Sequence, residues 1–87
     1  MSEKEPILIY STSWCPDCYR VKAFLKARGV EFREINIEED AEAEELVLQV
    51  NGGRRKVPTL KVEGRFFSLS PFSAHKLADE LKIPLNL

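Results

Sequence analysis

The feature that most constrains the fold is a Cys-x-x-Cys motif, formed by Cys15 and Cys18, between two different hydrophobic patterns. Residues 7–10 before it form a short, nearly continuous apolar run, which is typical of a buried strand. From Pro16 to about Arg28 after it, apolar residues recur at helical spacing, and Gly29 then supplies a C-terminal stop. The sequence therefore predicts that the motif lies where a strand passes into a helix.

Composition limits what these two cysteines can do. The chain has 87 residues and a net charge of −1, so we expect one domain over residues 1–87, with no nucleic-acid or membrane partner. Two cysteines are too few for a multi-bridge framework, and the single histidine, His75, cannot complete a zinc site with them, so we expect no metal. No apolar run is long enough for a secretory leader or a membrane span, which favours the reducing cytoplasm.

The remaining patterns predict an α/β fold with the order β-α-β-α-β-β-α. The predicted elements after the first helix are a strand at 31–37, a helix at 41–50, a strand at 59–63, a tight turn at 64–65, a returning strand from 66 and a last helix to about 82. A right-handed parallel crossover followed by an antiparallel hairpin gives a four-stranded mixed sheet flanked by three helices.

Two finer expectations concern the last helix and the core. Ser70 and Pro71 have the residue types of an N-cap and a first helical position. The predicted core consists of the apolar residues on the inward faces of the elements: Ile7, Ile9, Val21, Phe24, Leu25, Ile35, Ile37, Leu46, Val50, Leu60, Val62, Leu77 and Leu81.

The position of the motif gives its two cysteines different predicted roles. Cys15 falls about where the helix is capped, with Pro16 at the first helical position, so free N–H groups and the helix dipole would stabilise a thiolate there. Cys18 lies almost one turn further on and is expected to be more buried, so we expect Cys15 to be the nucleophile and Cys18 the resolving thiol. The alternative is a pair of buried structural cysteines that happen to be three residues apart.

Asp17 lies between the two cysteines. Its carboxylate should disfavour a second negative charge on Cys15 and so make the pair more reducing. The alternative is that Asp17 only complements the positive end of the helix dipole.

With these residues in view, the chain resembles the glutaredoxin family. The residues that carry the resemblance are Thr12, Ser13, Trp14 and the Cys15-Pro16-Asp17-Cys18 motif near the start, and Lys56, Val57, Pro58 and Thr59 before the third strand. Together with residues 50–53, they are similar to the actinobacterial mycoredoxin branch. The resemblance implies one glutaredoxin-like domain with a thioredoxin fold. It also implies thiol–disulfide exchange with no bound cofactor, in which a low-molecular-weight thiol such as glutathione or mycothiol is the co-substrate.

The resemblance also implies a substrate groove. The Val57–Pro58 bond is expected to be cis, with the backbone of Val57 binding substrate and Pro58 forming the floor beside Cys15. Classical glutaredoxins carry Gly-Gly and an acidic residue before the last helix, whereas residues 68–73 here are Ser-Leu-Ser-Pro-Phe-Ser. Ser70 and the N–H groups beyond it could still hold a carboxylate, but this departure puts glutathione in doubt as the specific thiol.

Other residues near the motif have both a functional and a neutral interpretation. Trp14 is expected to form a docking surface for partner proteins, the alternative being packing of its loop. Tyr19 is expected to line the groove or to be partly buried. The basic residues 54–56 either steer an anionic thiol or form a solvated loop, and the acidic residues between 38 and 45 are expected to be a solvated helix entrance.

The sequence thus predicts a monomeric reductase whose partners are a small thiol and disulfide-containing proteins. One alternative is a protein-disulfide reductant recycled by a thioredoxin-type reductase, such as an electron donor to ribonucleotide reductase. A second alternative is an iron–sulfur cluster carrier, although such relatives usually have a single cysteine at this site.

Overall fold

The computed structural model describes residues 6–83 of the chain. Residues 1–5, in which no leader is predicted, and residues 84–87 lie outside the described part. The secondary-structure elements are β1 (Ile7–Ser11), α1 (Pro16–Ala27), β2 (Phe32–Asn36), α2 (Ala41–Val50), β3 (Thr59–Val62), β4 (Arg65–Ser68) and α3 (Ala74–Leu81). This order confirms the predicted one. No helix in the described range is long and apolar enough to cross a membrane.

The four strands form one mixed sheet in the order β2-β1-β3-β4. β1 and β2 are parallel, as a strand–helix–strand crossover requires, whereas β3 is antiparallel to both β1 and β4. Because successive strand residues face opposite sides, β1 contributes to two apolar clusters. Ile7 and Ile9 pack with α1 and α3 on one face of the sheet, and Tyr10 packs with α2 on the other.

The predicted core is confirmed for the residues that the sheet and helices enclose. Buried as predicted are Ile7, Ile9, Val21, Phe24, Leu25, Ile37, Leu60, Val62 and Leu77, while Ile35, Leu46 and Leu81 are half-buried against them. The prediction was wrong for Val50, which is 38% exposed. Val50 continues the stripe of Ala43 and Val47 but lies in the last turn of α2, outside the cluster that covers those two residues.

The turn between β3 and β4 differs from the prediction by one residue. Its central residues are Glu63 and Gly64, not Gly64 and Arg65, since Arg65 already pairs with Val62 in the sheet. Both Glu63 and Gly64 have positive φ, 53° and 82°, which a type I′ hairpin turn requires.

The predicted start of the last helix was also wrong. Ser73, not Ser70, is the N-cap of α3, and its hydroxyl oxygen accepts a hydrogen bond from the Lys76 N–H at 3.1 Å. Pro71 therefore precedes the helix, and the Ser70–Pro71 bond is cis. Leu69 is fully buried and its N–H donates to the Pro58 carbonyl, so this part of the chain stays on the sheet and the helix begins later.

Candidate active site

Three loops meet at one edge of the sheet. Ser11, the last residue of β1, lies opposite Asn36 at the end of the parallel strand β2. Tyr10 lies opposite Thr59, the first residue of the antiparallel strand β3. The loops at this edge are the Trp14 loop (residues 12–15), the β2–α2 loop (residues 37–40) and the cis-proline loop (residues 54–58).

Cys15 is the N-cap of α1, as predicted. Its sulfur accepts a hydrogen bond from the Cys18 N–H at 3.0 Å, and Pro16 occupies the first helical position. The sulfur therefore takes the place of the usual oxygen cap, where the unpaired N–H groups and the helix dipole favour negative charge. This geometry stabilises a thiolate at Cys15 once the pair is reduced.

The two cysteines form a disulfide and differ in accessibility. Their Cα atoms are 5.2 Å apart, within the range that a disulfide requires. Cys15 is partly exposed, whereas Cys18 is only 1% exposed on the inner face of α1. An incoming disulfide can therefore reach Cys15 more readily than Cys18.

Asp17, between the cysteines, has a cationic partner. The Arg20 guanidinium donates to its carboxylate at 2.9 Å, one helical turn along α1. This contact offsets part of the negative charge of Asp17. It therefore weakens both predicted effects of that charge, on the Cys15 thiolate and on the helix dipole. The sequence analysis did not connect Arg20 to Asp17.

Two aromatic side chains flank the disulfide at the surface. Trp14 is 70% exposed and Tyr19 is 71% exposed. Tyr19 is therefore not partly buried, and most of the Trp14 side chain faces solvent although its indole N–H contacts Glu38. Trp14, Pro16 and Tyr19 are the exposed apolar residues within four positions of Cys15 in the chain, and we call them the aromatic rim.

Polar contacts made by the buried Thr59 connect the cis-proline loop to α2. The Val57–Pro58 bond is cis, as the resemblance implied, and Pro58 is buried. The fully buried Thr59 hydroxyl donates to the Lys56 carbonyl at 2.7 Å and accepts from the Asn51 amide at 3.0 Å. The Asn51 amide also donates to the carbonyl of Val47 at 2.8 Å, which ties the loop to α2. Sequence reasoning missed Asn51, because nothing local links it to Thr59.

Two further predictions concern Ser70 and the basic residues 54–56, which are exposed at this edge of the sheet. Ser70 is exposed, two residues beyond Ser68, which pairs with Thr59. Its predicted role relied on a helix N-terminus that the structure places at Ala74 instead. In the basic segment, Arg55 forms an ion pair with Glu44 at 2.8 Å.

Two ionisable groups on β1 and β2 have shifted pKa values. Burial, with a contribution from the charge of Asp40, raises the pKa of Tyr10, so its hydroxyl stays neutral. For Glu34, burial alone would raise the pKa. Hydrogen bonds from Ser11 and Lys22, with the charges of Lys22 and Lys26, outweigh burial and lower the pKa. Glu34 is therefore ionised at neutral pH and linked to α1.

Within residues 6–83, no group of three His, Cys, Asp or Glu side chains is placed to hold a metal ion.

Comparison with known proteins agrees with this geometry. The sequence profile of the family described as Glutaredoxin matches residues 7–67. A Mycobacterium tuberculosis protein whose name assigns it provisionally to the glutaredoxins is 40% identical over 79 residues, covering 91% of this chain and 88% of that protein. Mycoredoxin 1 of Corynebacterium glutamicum is 37% identical over 73 residues, covering 83% and 89%. The crystal structure of a glutaredoxin from Archaeoglobus fulgidus matches with a TM-score of 0.68 at 28% identity, covering 87% of this chain and 85% of that one.

A Cys-x-x-Cys disulfide at the start of the first helix, beside a cis-proline loop on a four-stranded mixed sheet, defines a thioredoxin-fold thiol–disulfide oxidoreductase. Within that class, the profile match and the relatives place the chain more narrowly. It belongs to the glutaredoxin family and is mycoredoxin-like.

Proposed function

We propose that this glutaredoxin reduces disulfides with Cys15 as the attacking thiolate and Cys18 as the resolving thiol. The observation that carries the proposal is the asymmetry of the pair. The Cys15 sulfur caps α1, accepts the Cys18 N–H and is partly exposed, whereas Cys18 is buried. The more accessible sulfur is thus also the one whose thiolate is stabilised.

The reaction transfers two electrons to the substrate. The Cys15 thiolate attacks one sulfur of the substrate disulfide, forms a mixed disulfide and expels the other sulfur as a thiolate, which takes up a proton. Cys18 then loses its proton and attacks the Cys15 sulfur, which releases the second substrate thiol and leaves the Cys15–Cys18 disulfide. Two molecules of a low-molecular-weight thiol return the pair to the dithiol and become a disulfide themselves. In a monothiol route, the substrate is itself a mixed disulfide with the small thiol: the Cys15 thiolate attacks the small thiol's sulfur and expels the substrate thiolate, which takes up a proton. A second small thiol, as its thiolate, then attacks the small thiol's sulfur in this adduct, which releases the Cys15 thiolate and forms the disulfide of two small thiols.

The substrate is proposed to lie between the aromatic rim and the cis-proline loop. Within residues 6–83, no hydrogen bond involves the backbone of Val57, so its N–H and C=O are free to pair with an extended substrate. Pro58 forms the floor, and Trp14 and Tyr19 supply exposed apolar contact. Pro16 of this rim and Asp17 beside it occupy the first two positions of α1.

Glutaredoxins and mycoredoxins use glutathione or mycothiol as co-substrate. For this chain we propose that an anionic thiol such as glutathione is attracted by the exposed basic residues 54–56, immediately before Val57. Ser70 contributes only an exposed hydroxyl to this contact, because α3 begins at Ala74. The proposal includes a single domain over residues 1–87 that acts as a monomer in a reducing compartment, with the cytoplasm as its location.

A pair of cysteine variants tests the proposed roles. Cys15→Ser should reduce the turnover of a small mixed disulfide to background, because no attacking thiolate remains. Cys18→Ser should accumulate a mixed disulfide on Cys15, visible as a mass increase, and can keep turnover by the monothiol route. Full activity of Cys15→Ser, or a trapped adduct on Cys18 in that variant, would refute the assignment.

The recycling thiol requires a second assay on the wild-type protein. Turnover measured with glutathione, with mycothiol and with a thioredoxin reductase system should be supported by one of the two small thiols. Turnover supported by the reductase system alone would contradict the proposed co-substrate.

A further inference from the structure

Three hydrogen-bond donors in the Trp14 loop converge on one carboxylate, that of Glu38 in the β2–α2 loop. One oxygen accepts the Ser13 N–H at 3.4 Å and the Ser13 hydroxyl at 3.2 Å, while the other accepts the Trp14 indole N–H at 3.3 Å. The donors are 24 and 25 residues away from Glu38 in the chain, so these contacts join two separate loops at the site. Because both oxygens are used, the carboxylate fixes the indole relative to the backbone beside it.

The base of the Glu38 side chain is itself fixed. The Glu38 N–H donates to the side-chain oxygen of Asn36 at 2.8 Å, and the Ile37 N–H donates to the Ser11 carbonyl at 2.9 Å. Ile37 is buried in the cluster on the α2 face of the sheet. The carboxylate therefore projects from a backbone that is hydrogen-bonded to β1 at Ile37 and to the Asn36 side chain at Glu38.

Charge strengthens the contact. The hydrogen bond from the Ser13 backbone lowers the pKa of Glu38 and burial opposes it. Hydrogen bonds from the Ser13 and Trp14 side chains and the charge of Arg55 lower the pKa further. At neutral pH the group is an ionised acceptor facing three donors at 3.2–3.4 Å, and a hydrogen bond to an ionised acceptor is stronger than one between neutral groups at the same distance.

From this geometry we propose that Glu38 is a positioning residue that holds the Trp14 indole in one orientation beside Cys15, ready for a protein disulfide substrate. The inference rests on the proposed function, in which Trp14 contacts substrate. An exposed indole without this anchor would sample several rotamers and would have to be ordered when a protein substrate binds. A small disulfide that reaches only the Cys15 sulfur would not require that ordering.

The test uses Glu38→Ala, with Glu39→Ala as the matched control. Glu39 is the next residue, is exposed, and carries the same charge without a contact to Trp14. Trp14 is the only tryptophan in the chain, so time-resolved fluorescence anisotropy reports on this side chain alone. In Glu38→Ala the fast depolarisation of Trp14 should increase and the unfolding midpoint should fall only slightly, because the contacts are at the surface. In Glu39→Ala both should match the wild type.

Steady-state kinetics provide the functional half of the test. For Glu38→Ala, KM for the disulfides of insulin should rise about 2- to 10-fold with kcat unchanged, the range expected from ordering one side chain on binding. KM for bis(2-hydroxyethyl) disulfide should not change. Glu38→Gln, which keeps one acceptor oxygen, should lie between Glu38→Ala and the wild type.

Two results would overturn the inference: unchanged anisotropy in Glu38→Ala, or increased depolarisation with an unchanged KM for insulin. Failure of the proposed function would look different, because the wild-type protein would then reduce neither disulfide.

Discussion

The two loops that flank Cys15 are held in different ways. The cis-proline loop is held from the inside by the buried Thr59 and by Asn51, in contacts that involve no ionised group, and at the surface by the Arg55–Glu44 ion pair. The Trp14 loop is held by the exposed carboxylate of Glu38. Displacing the cis-proline loop would leave buried polar groups without partners, so its position contributes to the free energy of unfolding of the domain. The contacts that hold the Trp14 loop lie at the surface and can be lost without unfolding the domain.

The largest effect is expected for Thr59→Val, which keeps the shape of the side chain and removes its hydroxyl. The Lys56 carbonyl then loses its donor and the Asn51 amide loses one acceptor, at a cost of about 1–3 kcal/mol of unfolding free energy. In a domain of this size, each kcal/mol lowers Tm by roughly 4–8 °C. Denaturant unfolding and calorimetry measure both quantities.

Thr59→Ser, which keeps the hydroxyl, is the control and should lose less stability than the valine variant. A Thr59→Val protein as stable as the wild type would show that the cis-proline loop does not depend on this buried network, and the contrast between the two loops would fail.

The sequence predicts structural features that depend on neighbouring residues better than those that depend on tertiary contacts. The cap at Cys15, the stop at Gly29 and the strand–helix order follow from neighbouring residues, and all were predicted. Ser70 and Ser73 both have the chemistry of an N-cap, and only the attachment of Leu69 to the sheet decides between them. The wrong choice there came from the absence of that tertiary contact in the sequence.

The candidate site shows the same limit. Cys15 and Cys18 are evident from their spacing, and the cis bond at Pro58 could be expected only from family resemblance. Glu38 belongs to a run of acidic residues, and the sequence alone does not distinguish it from its acidic neighbours. Only the pairing of β1 with β2 brings this one carboxylate to Trp14.

A smaller effect, confined to the Trp14 loop, is expected on acidification. Hydrogen bonds from Ser13, first of all its backbone N–H, lower the pKa of Glu38 below its ordinary value of 4.5. A lowered pKa means that the contribution of this anchor is fully present above pH 4.5 and is lost as pH falls through the folded-state pKa. The fast depolarisation of Trp14 should therefore increase only below about pH 4.5.

Glu38→Ala should show no such transition, and far-UV circular dichroism separates loosening of the loop from unfolding. The Asn51–Thr59 contacts contain no ionisable side chain and should persist. Loosening of Trp14 between pH 5 and 7 would contradict Glu38 as the group responsible.

The central claim is that Cys15 provides the attacking thiolate, so the most direct measurement is which cysteine of the reduced protein reacts first. The protein is reduced, treated at neutral pH with less than one equivalent of iodoacetamide, and digested, and tandem mass spectrometry locates the label within the peptide that holds both cysteines. The partly exposed, helix-capping position of Cys15 predicts that nearly all of the label is on Cys15. Label mainly on Cys18, or divided equally between the two, would contradict the assignment of Cys15 as the attacking thiolate.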